Sequence, residues 1–255
     1  MPGRRGGTPE QGRAYRERGI QAAKRFALLL GLPRDYERDL KAKKDVIDPA
    51  GDAHSVKAGR GKWQVFLYRR NRFLTDDGFQ TLNGIGGLLV HCIDAFPERF
   101  EEYQANKTAA KEVLKYPMRE LKDRFQRKVL VRGFLRKAVF NGTEVNYLTI
   151  WHDGAYHVYW SDDVVRIMGD GFNVENSKAR HAGQFDDQKV LFRHAGRNVG
   201  ELEMRNSSAG HYREVLFNIN KGPFMALLEE AALETRIFSP EIIVYGQAIN
   251  KFGRW

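Results

Sequence analysis

The stretch KKDVIDPAGDAHSVKAGRGKWQVFLYRR, Lys43 to Arg70, decides how this chain is read. Within it Asp48-Pro49-Ala50-Gly51 places proline where a type I turn wants a fixed φ and glycine where the backbone must turn left-handed. That is a three-residue hairpin loop closed by a bulge at its glycine. The loop sets a register in which Asp48 faces Asp52, Ile47 faces Ala53 and Asp45 faces Ser55. Side chains alternate along a strand, so Asp45, Ser55 and Lys57 are expected on one face of the hairpin. A carboxylate, a hydroxyl and an ammonium beside a basic surface suit metal-assisted phosphodiester cleavage. Beyond the hairpin, Lys62 to Tyr68 alternates, with Trp63, Val65 and Leu67 against Gln64, Phe66 and Tyr68. Both faces are largely apolar, which predicts an inner strand following the hairpin.

Charge points the same way. The chain has 255 residues and a formal net charge of +10. Residues 1–72 hold 18 Lys/Arg and 8 Asp/Glu, whereas the remaining residues hold 24 of each, so the whole excess lies around the hairpin. A local field of this sign favours a polyanion, nucleic acid above all. One cysteine, Cys92, excludes an internal disulfide and a multi-cysteine zinc site, and in its apolar setting it reads as a core thiol. No H-E-x-x-H is present, and the seven histidines show no zinc spacing. No apolar run has membrane-span length, and the first residues lack the apolar core of a signal peptide, so a cytoplasmic protein without a membrane partner is expected.

The rest of the chain reads as an α/β protein. Thr8-Pro9-Glu10-Gln11 is a capping box that opens a helix with Ile20, Ala23, Ala27 and Leu30 as its buried stripe. A shorter helix is expected over residues 34–43. Phe79 to Phe125 turns helical, with starts at Pro97 and a division at Pro117, and with Val113, Leu114, Met118, Leu121 and Phe125 in the core. Asn83-Gly84-Ile85-Gly86-Gly87 fits neither phosphate-loop pattern, and close helix packing accounts for its glycines better. Strands are expected at Val129–Phe134, Val145–His152, Ala155–Trp160, Val190–Arg193, Val199–Arg205, Arg213–Ile219 and Ile242–Tyr245, with an Asp153-Gly154 hairpin turn. Asp162–Met168 reads as a short helix, residues 172–188 as a long loop and Pro223–Glu234 as a helix. The composition shifts near 126–129, which divides residues 1–128 (basic helices, hairpin and helical segment) from a β-rich 129–255.

The hairpin resembles the PD-(D/E)xK nucleases. Asp45 takes the place of the motif aspartate, Ser55 that of the second acid and Lys57 that of the lysine. Lys44 stands where the motif has proline, and the serine matches a Ser-x-Lys variant found in type II restriction endonucleases. The resemblance covers about fifteen residues. It implies a restriction-endonuclease-like mixed sheet flanked by helices, extended by the β-rich C-terminal half. It also implies Mg2+ held by Asp45 and the Val56 carbonyl, with Lys57 acting on the attacking water, and a homodimer that cuts both strands of double-stranded DNA. The missing acid is then sought in Glu37 on the preceding helix, with Asp76 and Asp77 as competitors.

DNA contacts are expected from Arg60, Lys62, Arg69, Arg70 and Arg72 near the hairpin. A second set lies in the turn from Arg205 to Arg213, where Arg205 or Arg213 suits guanine and Asn206 suits adenine, with His211 beside them. Glu201 and Glu203, alternating with Arg205, offer a second pair of carboxylates, but cross-strand charge pairing explains them better. The rival reading is a nucleic-acid-binding module whose hairpin is structural.

Overall fold

The computed structural model describes residues 9–33, 44–59 and 61–255. In chain order its elements begin with α1 (Pro9–Leu29), β1 (Val46–Ile47), β2 (Ala53–Lys57), β3 (Lys62–Tyr68), α2 (Arg70–Thr75), α3 (Asp77–Gln80), α4 (Ile85–Asp94), α5 (Phe100–Ala105), α6 (Lys107–Arg124) and α7 (Lys128–Phe140). There follow β4 (Tyr147–His152), β5 (Ala155–Trp160), α8 (Ser161–Gly171), β6 (Asn173–Asn176), β7 (Lys189–His194), β8 (Arg197–Arg205), β9 (Glu214–Asn220), α9 (Lys221–Glu230), β10 (Thr235–Ser239), β11 (Ile242–Tyr245) and a 3-10 turn, Gly246–Asn250. The protein is thus mixed α/β with two sheets. By contact it divides into two units, neither continuous in sequence: residues 1–60, 143–164 and 233–255, and residues 61–142 and 165–232. Position 126–129 falls inside the second unit, between α6 and α7.

The first unit is built on a six-stranded sheet ordered β1-β2-β4-β5-β11-β10. Its sheet is mixed: β2 runs parallel to β4 and β11 parallel to β5, while the other neighbours are antiparallel. The turn at the hairpin forms as its residues dictate. Gly51 sits at φ +90°, and Asp48 Oδ1 accepts the N–H groups of Ala50 and Asp52 at 3.0 and 2.9 Å. Ile47 then faces Ala53 and Val46 faces His54, as the loop requires. The second hairpin, β4–β5, turns on Asp153 (φ +45°) and Gly154 (φ +85°), the left-handed pair of a two-residue turn. Ala23, Phe26 and Ala27 of α1, and Leu30 just after it, pack with Val46, Val56, Tyr147, Tyr156, Val158, Ile242 and Val244, giving the sheet one dry, helix-covered face. Ile20 is only half-buried, and Phe26 takes the central position instead.

The second unit carries an antiparallel sheet ordered β3-β9-β8-β7-β6. Phe66, Phe125, Phe134, Phe192 and Phe217 interlock at centroid distances of 5.0 to 6.3 Å and form its centre. In the four-residue α3, Phe79 is fully buried, and α4 can approach it only because residue 86 is glycine: a Cβ there would lie 2.7 Å from the Phe79 carbonyl oxygen. Cys92 is fully buried, and burial pushes its thiol pKa far up.

Several expectations are corrected. The strand Lys62–Tyr68 exists, but it belongs to the second sheet and forms its edge, with a bulge between Gln64 and Phe66. Val129–Phe134 is not a strand but the start of α7. Its buried positions Leu130, Val131, Phe134, Leu135 and Ala138 follow the helical period, which outweighs the β-branched residues. Pro117 does not divide α6; the helix runs through it, and the lost hydrogen bond is offset by burying Leu114, Met118 and Leu121 on the proline's own face. Val113 lies on the opposite side, 51% exposed, and is not core. The helix expected from Pro97 starts only at Phe100. Residues 172–188 are not all loop, since β6 pairs with β7. Leu233 falls after α9, and β10 was not anticipated because its residues are mostly exposed. The helix expected over 34–43 lies outside the described residues.

Candidate active site and nucleic-acid interface

The β1–β2 ladder ends at Val46, one residue short of the expected Asp45–Ser55 pairing. The Asp45 N–H bonds to the His54 carbonyl at 2.9 Å, so the backbone irregularity frees its side chain to turn toward β2. There the carboxylate replaces a ladder carbonyl, and Oδ2 accepts the Val56 N–H at 2.8 Å. The same oxygen lies 3.9 Å from Lys57 Nζ. Both side chains keep partial access to solvent, 17% for Asp45 and 25% for Lys57. Ser55 precedes Lys57 by two residues on β2 and is fully buried, and its hydroxyl has no hydrogen-bond partner among the described residues. A buried hydroxyl without a partner adds no hydrogen bond to the stability of the strand. Asp45 and Lys57 are therefore brought together, with Ser55 two residues before Lys57 on β2. Glu37 and Arg60 lie outside the described residues.

On the opposite face of the hairpin stands a polar network with no counterpart in the sequence reading. His54, fully buried, contacts Thr149 Oγ1 through Nδ1 at 2.8 Å and Asp48 Oδ2 through Nε2 at 3.3 Å. Desolvation lowers the His54 pKa below 6.5 and outweighs the opposing pull of Asp48. The neutral ring then donates from Nε2 to the Asp48 carboxylate and accepts the Thr149 hydroxyl at Nδ1. Tyr147 stacks on the ring at 4.5 Å and donates its hydroxyl to Asp52 at 3.3 Å. Asp48 thus fixes the turn with one oxygen and the buried histidine with the other. The Asp45–Lys57 pair and the His54 network share the same hairpin.

The competing acids are otherwise engaged. Asp76 caps α3 by accepting the Gly78 N–H at 2.9 Å, and it pairs with Lys137 and Arg72, each at 2.8 Å. Its neighbour Asp77 opens the same helix, where a negative charge is favoured. Glu201 and Glu203 are charge-paired, as expected, but with lysines. Lys62 pairs with Glu201, and Lys189 reaches Glu203 and, at 3.6 Å, Glu201. Burial alone would raise the Glu201 pKa, but the two ammonium groups bring it below the usual carboxylate value. Among the described residues no three His, Cys, Asp or Glu side chains converge as a ready metal cage.

The basic residues expected at DNA are gathered in the second unit more tightly than their sequence positions indicate. Arg69, Arg70, Asp94, Glu98, Tyr212 and Arg213 line an open cleft of about 740 Å³. Arg69 Nε donates to Glu214 at 3.1 Å, and the His211 ring meets the same carboxylate at 3.1 Å. Arg205 stands across the β8–β9 ladder from Glu214. Arg72 pairs with Asp76 and lies over the Tyr68 ring at 5.4 Å. The Asn206 side-chain amide oxygen Oδ1 accepts the Arg213 N–H at 2.8 Å and holds that residue at φ +55°. A non-glycine residue in this region costs on the order of 1–3 kcal/mol and persists only where its surroundings impose it. The residue that sequence reading missed is Asp94, which receives both Arg70 and Arg213.

Comparison with family models, with curated proteins and with solved structures finds nothing that matches the chain.

Proposed function

We propose that this protein is a metal-dependent endonuclease acting on double-stranded DNA, with Asp45 and Lys57 as its catalytic pair. The observation that carries the proposal is their approach to 3.9 Å at the β1–β2 hairpin of a mixed sheet, with a buried serine hydroxyl between them in sequence that has no hydrogen-bond partner among the described residues. The donor set fits a hard cation. Mg2+ is commonly held by one or two protein carboxylates completed by water and substrate phosphate. The hairpin offers the Asp45 carboxylate and the Ser55 hydroxyl, to which the resemblance adds the Val56 carbonyl and Glu37. When bound, the metal would polarise the phosphate and acidify water. Lys57 would orient the attacking water by hydrogen bonding and offset charge on the phosphate, while Asp45 keeps that ammonium in place. The basic first third and the arginine cleft would supply the DNA contacts. In this reading the fold is the restriction-endonuclease-like core, the enzyme works as a homodimer with one site per strand, and it acts in the cytoplasm.

A second reading, a nucleic-acid-binding module without catalysis, is favoured by one observation: Asp45 already spends an oxygen on the Val56 N–H. Supercoiled plasmid separates the two. Incubated with the protein and Mg2+, it is expected to give discrete fragments that a chelator prevents. A mobility shift without any cutting, over a range of divalent cations, selects the binding module.

A further inference from the structure

We propose that the Arg70–Asp94–Arg213 cluster reads a guanine base of the bound DNA, an assignment that rests on the nucleic-acid-binding part of the proposed function. Asp94 ends α4, where the helix dipole disfavours an acid, so helix stability does not explain it. Instead it acts as a shared clamp. Arg70 meets it through Nε at 3.0 and 3.2 Å and through Nη2 at 3.1 Å, and Arg213 through Nη2 at 2.9 Å. Two guanidinium groups from α2 and from the residue before β9 are thereby held by one carboxylate on the wall of one cleft. The Arg213 backbone is further held in its left-handed conformation by the Asn206 side-chain amide oxygen, and its Nε is buried with no acceptor among the described residues. Asp94 holds the Arg213 guanidinium and Asn206 holds the backbone that carries it, which is the preparation that directional recognition needs.

The charge balance identifies what is recognised. Arg69, Arg70 and Arg213 stand with Asp94, Glu98 and Glu214, so the site has directional N–H donors and little net charge. A phosphate clamp would keep its positive charge unpaired. A guanine edge presents two acceptors, O6 and N7, that match the guanidinium fork, and no other base does so in the major groove. Arg70, with its side chain about half exposed, presents the fork, and Arg213 supports it from the cleft wall. Asn206, whose side-chain amide oxygen is engaged by the Arg213 backbone, becomes a positioning residue and not a reader of adenine.

The test is selection of bound duplexes from a randomised pool in a chelator-containing buffer, where cleavage plays no part. Wild-type protein should enrich a motif containing guanine. Arg70→Lys keeps the charge on an exposed side chain, and Asp94→Asn keeps the shape; both should lose preference at the same guanine, by about 5- to 150-fold. The dependence of affinity on salt should stay unchanged, because no phosphate contact is removed. Thermal melting of each variant identifies loss of fold, and Arg70→Lys decides the matter if Asp94→Asn melts early. Variants that keep every preference overturn the assignment, as does equal weakening on all sequences, which would make the cluster a backbone clamp. Plasmid cutting with an unchanged motif in Arg70→Lys sinks this assignment alone. A guanine preference lost in Arg70→Lys, in a protein that never cuts, sinks the nuclease reading alone. A wild-type protein that binds no duplex sinks both.

Discussion

Acids and lysines meet at two places in this molecule, and they are arranged in opposite ways. In the second unit Glu201 and Glu203 meet Lys62 and Lys189 so closely that the four charges form one compact group. At the hairpin of the first unit Asp45 and Lys57 stand 3.9 Å apart, partly open to solvent, with a buried hydroxyl that has no partner among the described residues. The first arrangement is what cross-strand stabilisation produces: charges satisfied and nothing left for a ligand. The second leaves polar groups underused at some cost, which is how sites that bind and react differ from sites that only stabilise. The same residue types can therefore be sorted by how completely they satisfy one another.

Substitutions can break that contrast. The largest effect is expected at Lys57: Lys57→Ala should reduce plasmid cutting by about a thousand-fold or more, comparable with losses on removing a positioned catalytic group. DNA affinity should stay within a few-fold, since one ammonium among many contributes modestly. Glu203→Gln, in contrast, should leave cutting intact. If cutting falls equally in both variants, the distinction between the two pairs fails.

Stability provides smaller effects. Gly86→Ala drives a methyl group against the Phe79 carbonyl and should destabilise the second unit by about 1–3 kcal/mol, read from urea denaturation. His54 gives the first unit a pH dependence. Its folded pKa is below the ordinary 6.5, so the unfolded chain takes up more protons, and stability should fall as pH drops below 6.5. The slope from this residue is at most about 1.4 kcal/mol per pH unit. It should be absent above neutral pH and should vanish in His54→Phe; a slope that persists in that variant assigns the effect to other groups. The smallest change is expected from Ser55→Ala, which removes an unsatisfied hydroxyl and should raise stability by about 1 kcal/mol or less. If the hydroxyl serves the reaction, that gain comes with slower cutting at limiting Mg2+. A destabilised Ser55→Ala would mean that the hydroxyl has a structural partner after all.

What could be read from the sequence was local. Asp48-Pro49-Ala50-Gly51 and Asp153-Gly154 contain their own turn chemistry, and both hairpins form with the expected strands. The turn brings the arms of the hairpin close, but Asp45 stands outside the β1–β2 ladder. Its approach to Lys57 could not be foreseen, because it depends on the carboxylate finding the Val56 N–H. Long-range pairings were hidden for the same reason. Nothing around Lys62–Tyr68 says that its partner is β9, some 150 residues later, in a different sheet from the hairpin. Thr149 lies 95 residues from His54, and Asp94 lies 119 from Arg213. At α7, Val129-Leu130-Val131 has strand-like residue types, and only the burial period over the next two turns reveals the helix.

The central claim is that Asp45 is a catalytic carboxylate and not a strand cap. Asp45→Asn tests it most directly, because an amide oxygen can still accept the Val56 N–H while the charge is removed. With supercoiled plasmid and Mg2+, the variant should bind DNA as the wild type does, melt at nearly the same temperature and fail to cut. Normal Mg2+-dependent cutting by Asp45→Asn would contradict the account and return the hairpin to a structural role.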